Sequence, residues 1–101
     1  MEVILSSRPE RTAWAPVRDA TDVGSARRAG RRLVCAAGAP AELIERAALV
    51  VTELATNLAA HAGGGGLHLR AEGSAVEIVG IDHGPGLGDA ARAFRDGYST
   101  T

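Results

Sequence analysis

Between residues 23 and 81 the spacing of apolar side chains changes from a helical to an extended period, and Gly63-Gly64-Gly65-Gly66 marks the change. From Val23, the positions Ala26, Gly30, Leu33, Val34 and Ala37 fall within about one third of a helical circumference. Thr21 or Asp22 offers a side-chain oxygen to cap this helix, and Gly38 suits the left-handed residue that ends it. Pro40 fits the first turn of a second helix, expected to run to about Ala62. Its stripe is Leu43, Ala47, Val50, Leu54 and Leu58, widened by Ile44 and Val51. After the glycines, Leu67, Leu69 and Ala71 alternate with His68, Arg70 and Glu72, the pattern of a half-buried strand. Gly73-Ser74 makes a hairpin turn, and Val76 to Ile81 forms a further strand whose later part is apolar on both faces, as in the middle of a sheet.

The ends are less regular. Val3-Ile4-Leu5 is apolar, but Ser6 to Thr12 is polar and interrupted by Pro9, so residues 1–12 read as an N-terminal extension. A strand is expected around Ala13 to Asp19. Asp82-His83-Gly84-Pro85-Gly86-Leu87-Gly88 reads as a tight loop that lets backbone approach a ligand closely. Asp89 then opens a short helix to Arg95, closed by Asp96-Gly97.

Composition removes several classes of function. With 101 residues the chain holds one small domain, and its net charge of −1 gives no global field for nucleic acid or an anionic membrane. One Phe, one Tyr and one Trp provide no set of base-stacking platforms. All basic residues are Arg, so chemistry that requires a P-loop lysine or a Schiff base is excluded within this segment. The glycine run follows a helix C-terminus, where the dipole disfavours anions, so it is read as a flexible turn rather than a phosphate loop. Cys35, alone of its kind, reads as a small packing residue, and no pair of His and Cys has zinc-like spacing. No signal peptide or spanning apolar run is present, so a reducing cytoplasm is the expected setting. Arg27, Arg28, Arg31 and Arg32 form the polar face of the first helix, ordinarily a solvated face and alternatively a docking surface for an acidic partner.

Chemistry concentrates on the second helix. Glu53, Asn57 and His61 stand four residues apart, so they project from one face over roughly 12 Å. Asn57 is the only side-chain amide in the chain. Helical projection places Glu53 and Asn57 along one border of the apolar stripe, where core would meet a cleft. Asp82 at a buried strand end is costly as a charge unless satisfied, and an amino group of a bound purine would satisfy it. A turn-capping Asp is the ordinary alternative.

Glu-X-X-X-Asn-X-X-X-His followed, two strands later, by Asp-X-Gly-X-Gly resembles the GHKL ATPase superfamily, which includes histidine kinases, gyrase B and MutL. Within it the chain is most similar to the small bacterial kinases of the RsbT/RsbW type that control sigma-factor partner switching. The resemblance covers about Val17 to Thr101. Thr52-Glu53-Leu54-Ala55-Thr56-Asn57 is similar to the N-box, Asp82-X-Gly84-Pro85-Gly86 to the first glycine box, and Asp96-Gly97-Tyr98-Ser99-Thr100 to the segment leading into the ATP lid. It implies an α/β fold, an α+β two-layer sandwich of partial Bergerat type with a mixed sheet and helices on one face, formed by residues 13–101. It further implies ATP and Mg²⁺ as cofactors. Glu53 is then the general base, Asn57 the Mg²⁺ ligand and Asp82 the adenine contact. Gly84 and Gly86 shape the pocket, while His61 and Thr100 lie near the phosphates.

The implied activity is transfer of the ATP γ-phosphate to a serine or threonine of a STAS-domain anti-anti-sigma or scaffold protein. The alternative is a noncatalytic switch module that activates a phosphatase or binds a sigma factor, within a larger fusion protein or free. No nucleic acid or membrane is implied, and a homodimer is compatible with the resemblance. The family's second glycine box does not occur before Thr101, so the chain is expected to be the first part of a longer ATPase domain and to bind ATP weakly or not at all by itself.

Overall fold

The computed structural model describes residues 11–61, 64–82, 90–95 and 98–100, with side chains for 11–60 and 64–82. Along the chain run β1 (Arg11–Val17), a 3-10 turn (Ala20–Asp22), α1 (Val23–Ala36), α2 (Ala41–His61), β2 (Gly65–Glu72), β3 (Ala75–Asp82), β4 (Ala90–Arg95) and β5 (Tyr98–Thr100). The five strands form one sheet in chain order. The class is α+β, with α1 lying on β1 and β2, and α2 on β2 and β3.

Every neighbouring pair in the sheet is antiparallel, which corrects the mixed sheet expected above. The reason lies in the helices. Arg27 reaches Thr52, Gly30 faces Val51 and Arg31 reaches Glu45, so α1 and α2 run in opposite directions. Two antiparallel helices return the chain to the end where β1 finished, and β2 must then run against β1. A single crossover helix would have made the pair parallel.

The alternation in β2 is realised, with Leu67, Leu69 and Ala71 buried and His68, Arg70 and Glu72 exposed. Opposed residues share a face, so Ala13–Leu69–Ile78 and Ala15–Leu67–Gly80 form rows under the helices. Leu67, Leu69, Ile78, Val17, Val34 and Val51 are the largest fully buried side chains. The helical stripes fill the other layer, from Ala26, Gly30, Leu33 and Val34 on α1 to Leu43, Ala47, Val50, Val51, Leu54 and Leu58 on α2. Gly38 follows α1 at φ 87°, the left-handed stop expected there.

Other boundaries differ. Residues 90–95 form a strand rather than the expected short helix, pairing with β3 from Ala75↔Arg95 to Gly80↔Ala90. Ala-Ala-Arg-Ala favours a helix locally, but so short a helix does not hold itself, whereas the edge of β3 offers a full ladder of backbone partners. β1 starts at Arg11, inside the expected extension, and stops at Val17 rather than Asp19. Asp19 turns back instead, its Oδ1 accepting from Thr21 N at 2.9 Å and from Thr21 Oγ1. Asp22 occupies the helix-capping position without making a capping bond, because its carboxylate accepts from Arg18 N at 2.8 Å and Arg18 Nε at 3.1 Å. Cys35 is exposed, not packed. Residues 1–10, 62–63, 83–89, 96–97 and 101 lie outside the described residues, and with them the glycines of the expected loop and the first two residues of the lid approach, whose remainder, Tyr98–Thr100, is β5.

Candidate functional site

The topology brings Asp82 and the last turns of α2 to one end of the molecule. Val17 at the end of β1 opposes Gly65 at the start of β2, and Gly65 opposes Asp82 at the end of β3. These three therefore point to one face, the face that carries the helices. α2 finishes at His61, four residues before β2 begins, so its last turns lie at this same end.

Asp82 is only partly buried as a residue, yet its Oδ2 is fully enclosed and has no hydrogen-bond partner among the described residues. A carboxylate oxygen withdrawn from water without a donor is costly, and native proteins rarely leave one so. Gly65 gives the backbone at this point its shape. A Cβ on Gly65 would stand 2.1 Å from the Ile81 carbonyl oxygen and 2.9 Å from Asp82 Cα. No side chain fits, and β2 and β3 approach as bare backbone beside the carboxylate.

On α2, Thr52 marks the flank facing α1: its hydroxyl donates to Ala48 O at 2.8 Å and accepts from Arg27 Nη1 at 3.5 Å. Asn57 is five residues on, roughly 140° around the helix, on the flank turned away from α1. Glu53 and Asn57 are both exposed, although Leu54, Ala55 and Leu58 between and beside them are buried. Both therefore stand outward of the border position expected for them. One helical step of 100° carries Glu53 from buried Leu54 into water. Neither side chain has a hydrogen-bond partner among the described residues, so each is available to a ligand or a partner protein.

The remaining candidates are placed only in part. His61 is the last residue of α2. Thr100 lies in β5 opposite Ala93, which pairs with Glu77, five residues along β3 from Asp82, so the register corrects its expected place near the site. Gly84 and Gly86 fall outside the described residues. Among the described residues no three His, Cys, Asp or Glu side chains are gathered as for an ion held by protein alone. Mg²⁺ carried with phosphates needs no such cluster, since one protein oxygen, phosphate oxygens and water complete its shell. Also among the described residues, no helix is long and apolar enough to cross a membrane.

The β1–α1 junction adds fixed charge at this end. Arg18, by hydrogen bond and by charge, holds the Asp22 carboxyl below the ordinary carboxylate range, and Asp22 in turn raises the Arg18 guanidinium. The Thr21 hydroxyl and amide lower Asp19 in the same way. Sequence reasoning missed the part played by Gly65, which it assigned to a flexible turn. No family model, curated protein or solved structure matches this chain.

Proposed function

We propose that the end of the molecule marked by Asp82 is an adenine-nucleotide site and that the chain belongs to an ATP-dependent protein serine/threonine kinase of the partner-switching type. One observation carries this reading: the enclosed Asp82 Oδ2 has no donor among the described residues, and the exocyclic amino group of adenine is a donor of the required kind. Gly65 supports it by letting β2 and β3 approach as bare backbone beside the carboxylate. Gly84 and Gly86, next in sequence, are the residues assigned to the wall of the base pocket.

In this reading Asn57 would hold Mg²⁺ through its amide oxygen, and the chemistry the ion would supply is neutralisation of the phosphate charge. Glu53 accepts the proton from the hydroxyl of an acceptor serine as that oxygen forms its bond to the γ-phosphorus. The bond to the β,γ-bridging oxygen breaks, leaving ADP, phosphoserine and a protonated Glu53 that returns its proton to water. Glu53 is exposed, as a base must be when its substrate is another folded protein. His61 takes a place near the phosphates. The substrate is a STAS-domain protein, and the setting is the bacterial cytoplasm.

A second reading also has an observation behind it. Among the described residues nothing holds the Glu53 carboxylate in place, which suits a switch module that binds nucleotide and engages a phosphatase or sigma factor without phosphotransfer. Incubation of the complete protein with labelled Mg-ATP and STAS-domain candidates separates the two. Glu53→Ala is expected to abolish phosphotransfer with nucleotide binding largely kept, whereas Asn57→Ala is expected to weaken Mg²⁺-dependent binding. Equal label transfer by Glu53→Ala and the parent would remove Glu53 as base. No transfer by the parent, with nucleotide binding intact, would favour the switch.

A further inference from the structure

The two helices present very different outer surfaces. On α2, Glu42, Glu45, Arg46 and Glu53 mix both signs around an exposed Leu49. On α1 the exposed positions are Ser25, Arg28, Arg31, Arg32, Cys35 and Ala36, and no acidic residue occurs anywhere in the helix. Arg27 turns inward to Thr52. Arg31 is tied to Glu45 of α2 at 2.5 Å. Arg28 and Arg32 stand one turn apart on the outer face; Arg28 reaches only Ser25 Oγ at 3.4 Å, and Arg32 has no partner among the described residues. Like charges at four-residue spacing repel, and helix formation alone gives no reason to keep two together. A solvated face of this fold has a different appearance, shown by α2.

Leu49 completes the surface. It is 62% exposed and sits one turn beyond Glu45 on the same side of α2, beside the Arg31–Glu45 bridge. We propose that the outer face of α1, with Leu49, docks a partner protein through an acidic helix that carries carboxylates one turn apart and an apolar side chain next to them. Arg28 and Arg32 each offer a planar fork that takes a carboxylate through two hydrogen bonds, and Leu49 gives the apolar contact that excludes water around them. Nucleic acid and membrane fit less well. Exposed Glu42 and Glu45 border the patch and interrupt an extended track of phosphates, whereas one short helix can set its carboxylates on Arg28 and Arg32 and turn only its apolar side chain toward Leu49 and these glutamates. This surface lies on the helix layer and does not depend on the nucleotide reading.

Fluorescence anisotropy of the whole chain with a labelled amphipathic helical peptide, Glu at four-residue spacing beside Leu, tests the proposal. Saturable binding is expected, weakening as salt rises. Arg28→Glu with Arg32→Glu should reduce affinity roughly tenfold or more, and the same peptide with Lys for Glu should restore it. Leu49→Ala should weaken binding without changing its salt dependence, and Asp82→Ala should leave it unaltered. No saturable binding, or equal binding by the charge-reversed variant, would overturn the proposal. So would tighter binding of duplex DNA or phosphatidylserine vesicles than of the peptide.

Discussion

Two rows of the same sheet, four residues apart along β2, have opposite chemistry. In Ala13–Leu69–Ile78 the outer strands and the middle one are apolar, and Leu69 and Ile78 are fully buried under the helices. In Val17–Gly65–Asp82 the middle residue has no side chain, and the third is an acid with an enclosed, unpartnered oxygen. The first row is what burial of apolar area alone would select. The second violates that preference at its centre and at its end. Sequences that satisfy packing rules throughout and break them in one place generally break them where a ligand or partner is met.

The largest expected effect belongs to the packed row. Ile78→Ala should lower unfolding free energy by about 2–5 kcal/mol in urea titration, since the transfer and cavity costs add at a fully buried site. A loss well below this range would mean that the row is not close-packed, and the contrast would fail. Gly65→Ala tests the other row from its middle. Its Cβ meets backbone at 2.1 Å, so the strands must part, with a cost of about 1–3 kcal/mol. Gly66→Ala is the control: its Cβ would meet the indole of Trp14 at 2.2 Å, but that ring is 49% exposed and can swing outward. Gly66→Ala should therefore cost less than Gly65→Ala, and the reverse order would show that the close approach at Gly65 is unimportant.

A smaller, pH-dependent effect comes from the junction between β1 and α1. Asp19 and Asp22 have folded-state carboxyls held below their ordinary range. Their contribution is present above the unfolded carboxylate values and is lost as pH falls through the depressed folded ones. Arg18→Ala should raise the Asp22 midpoint seen by NMR titration and flatten the acid limb of stability. An unchanged midpoint would mean that the hydrogen bond and charge of Arg18 do not set it.

Much of this was readable beforehand, for particular reasons. The stripes of α1 and α2 and the alternation of β2 are periodic over long runs, and tertiary packing agrees with them. The register Gly65↔Asp82 was also within reach, because counting outward from Gly73-Ser74 through Glu72↔Ala75 arrives at it. The run of four glycines hides it, because a single turn over 63–66 leaves no strand residue at position 65. Residues 90–95 look helical in sequence because their helix propensity is local, whereas the edge that pairs them belongs to β3. Asp22 takes the cap position of α1 without a capping bond while Asp19 caps the 3-10 turn, since neither residue type nor spacing tells which acid Arg18 will engage. The exposure of Glu53 turned on one step of helical phase.

On the proposed reading, Asp82 is kept at a cost to folding because it serves a ligand. Urea unfolding of the parent and Asp82→Ala chains, each without nucleotide and with millimolar Mg-ATP, tests it directly. Without nucleotide, Asp82→Ala is expected to be the more stable by about 1 kcal/mol, because an unpartnered enclosed oxygen has been removed. With Mg-ATP, the parent should gain stability by ligand linkage and Asp82→Ala should not. A less stable Asp82→Ala chain, or an equal gain or none in both, would contradict the account.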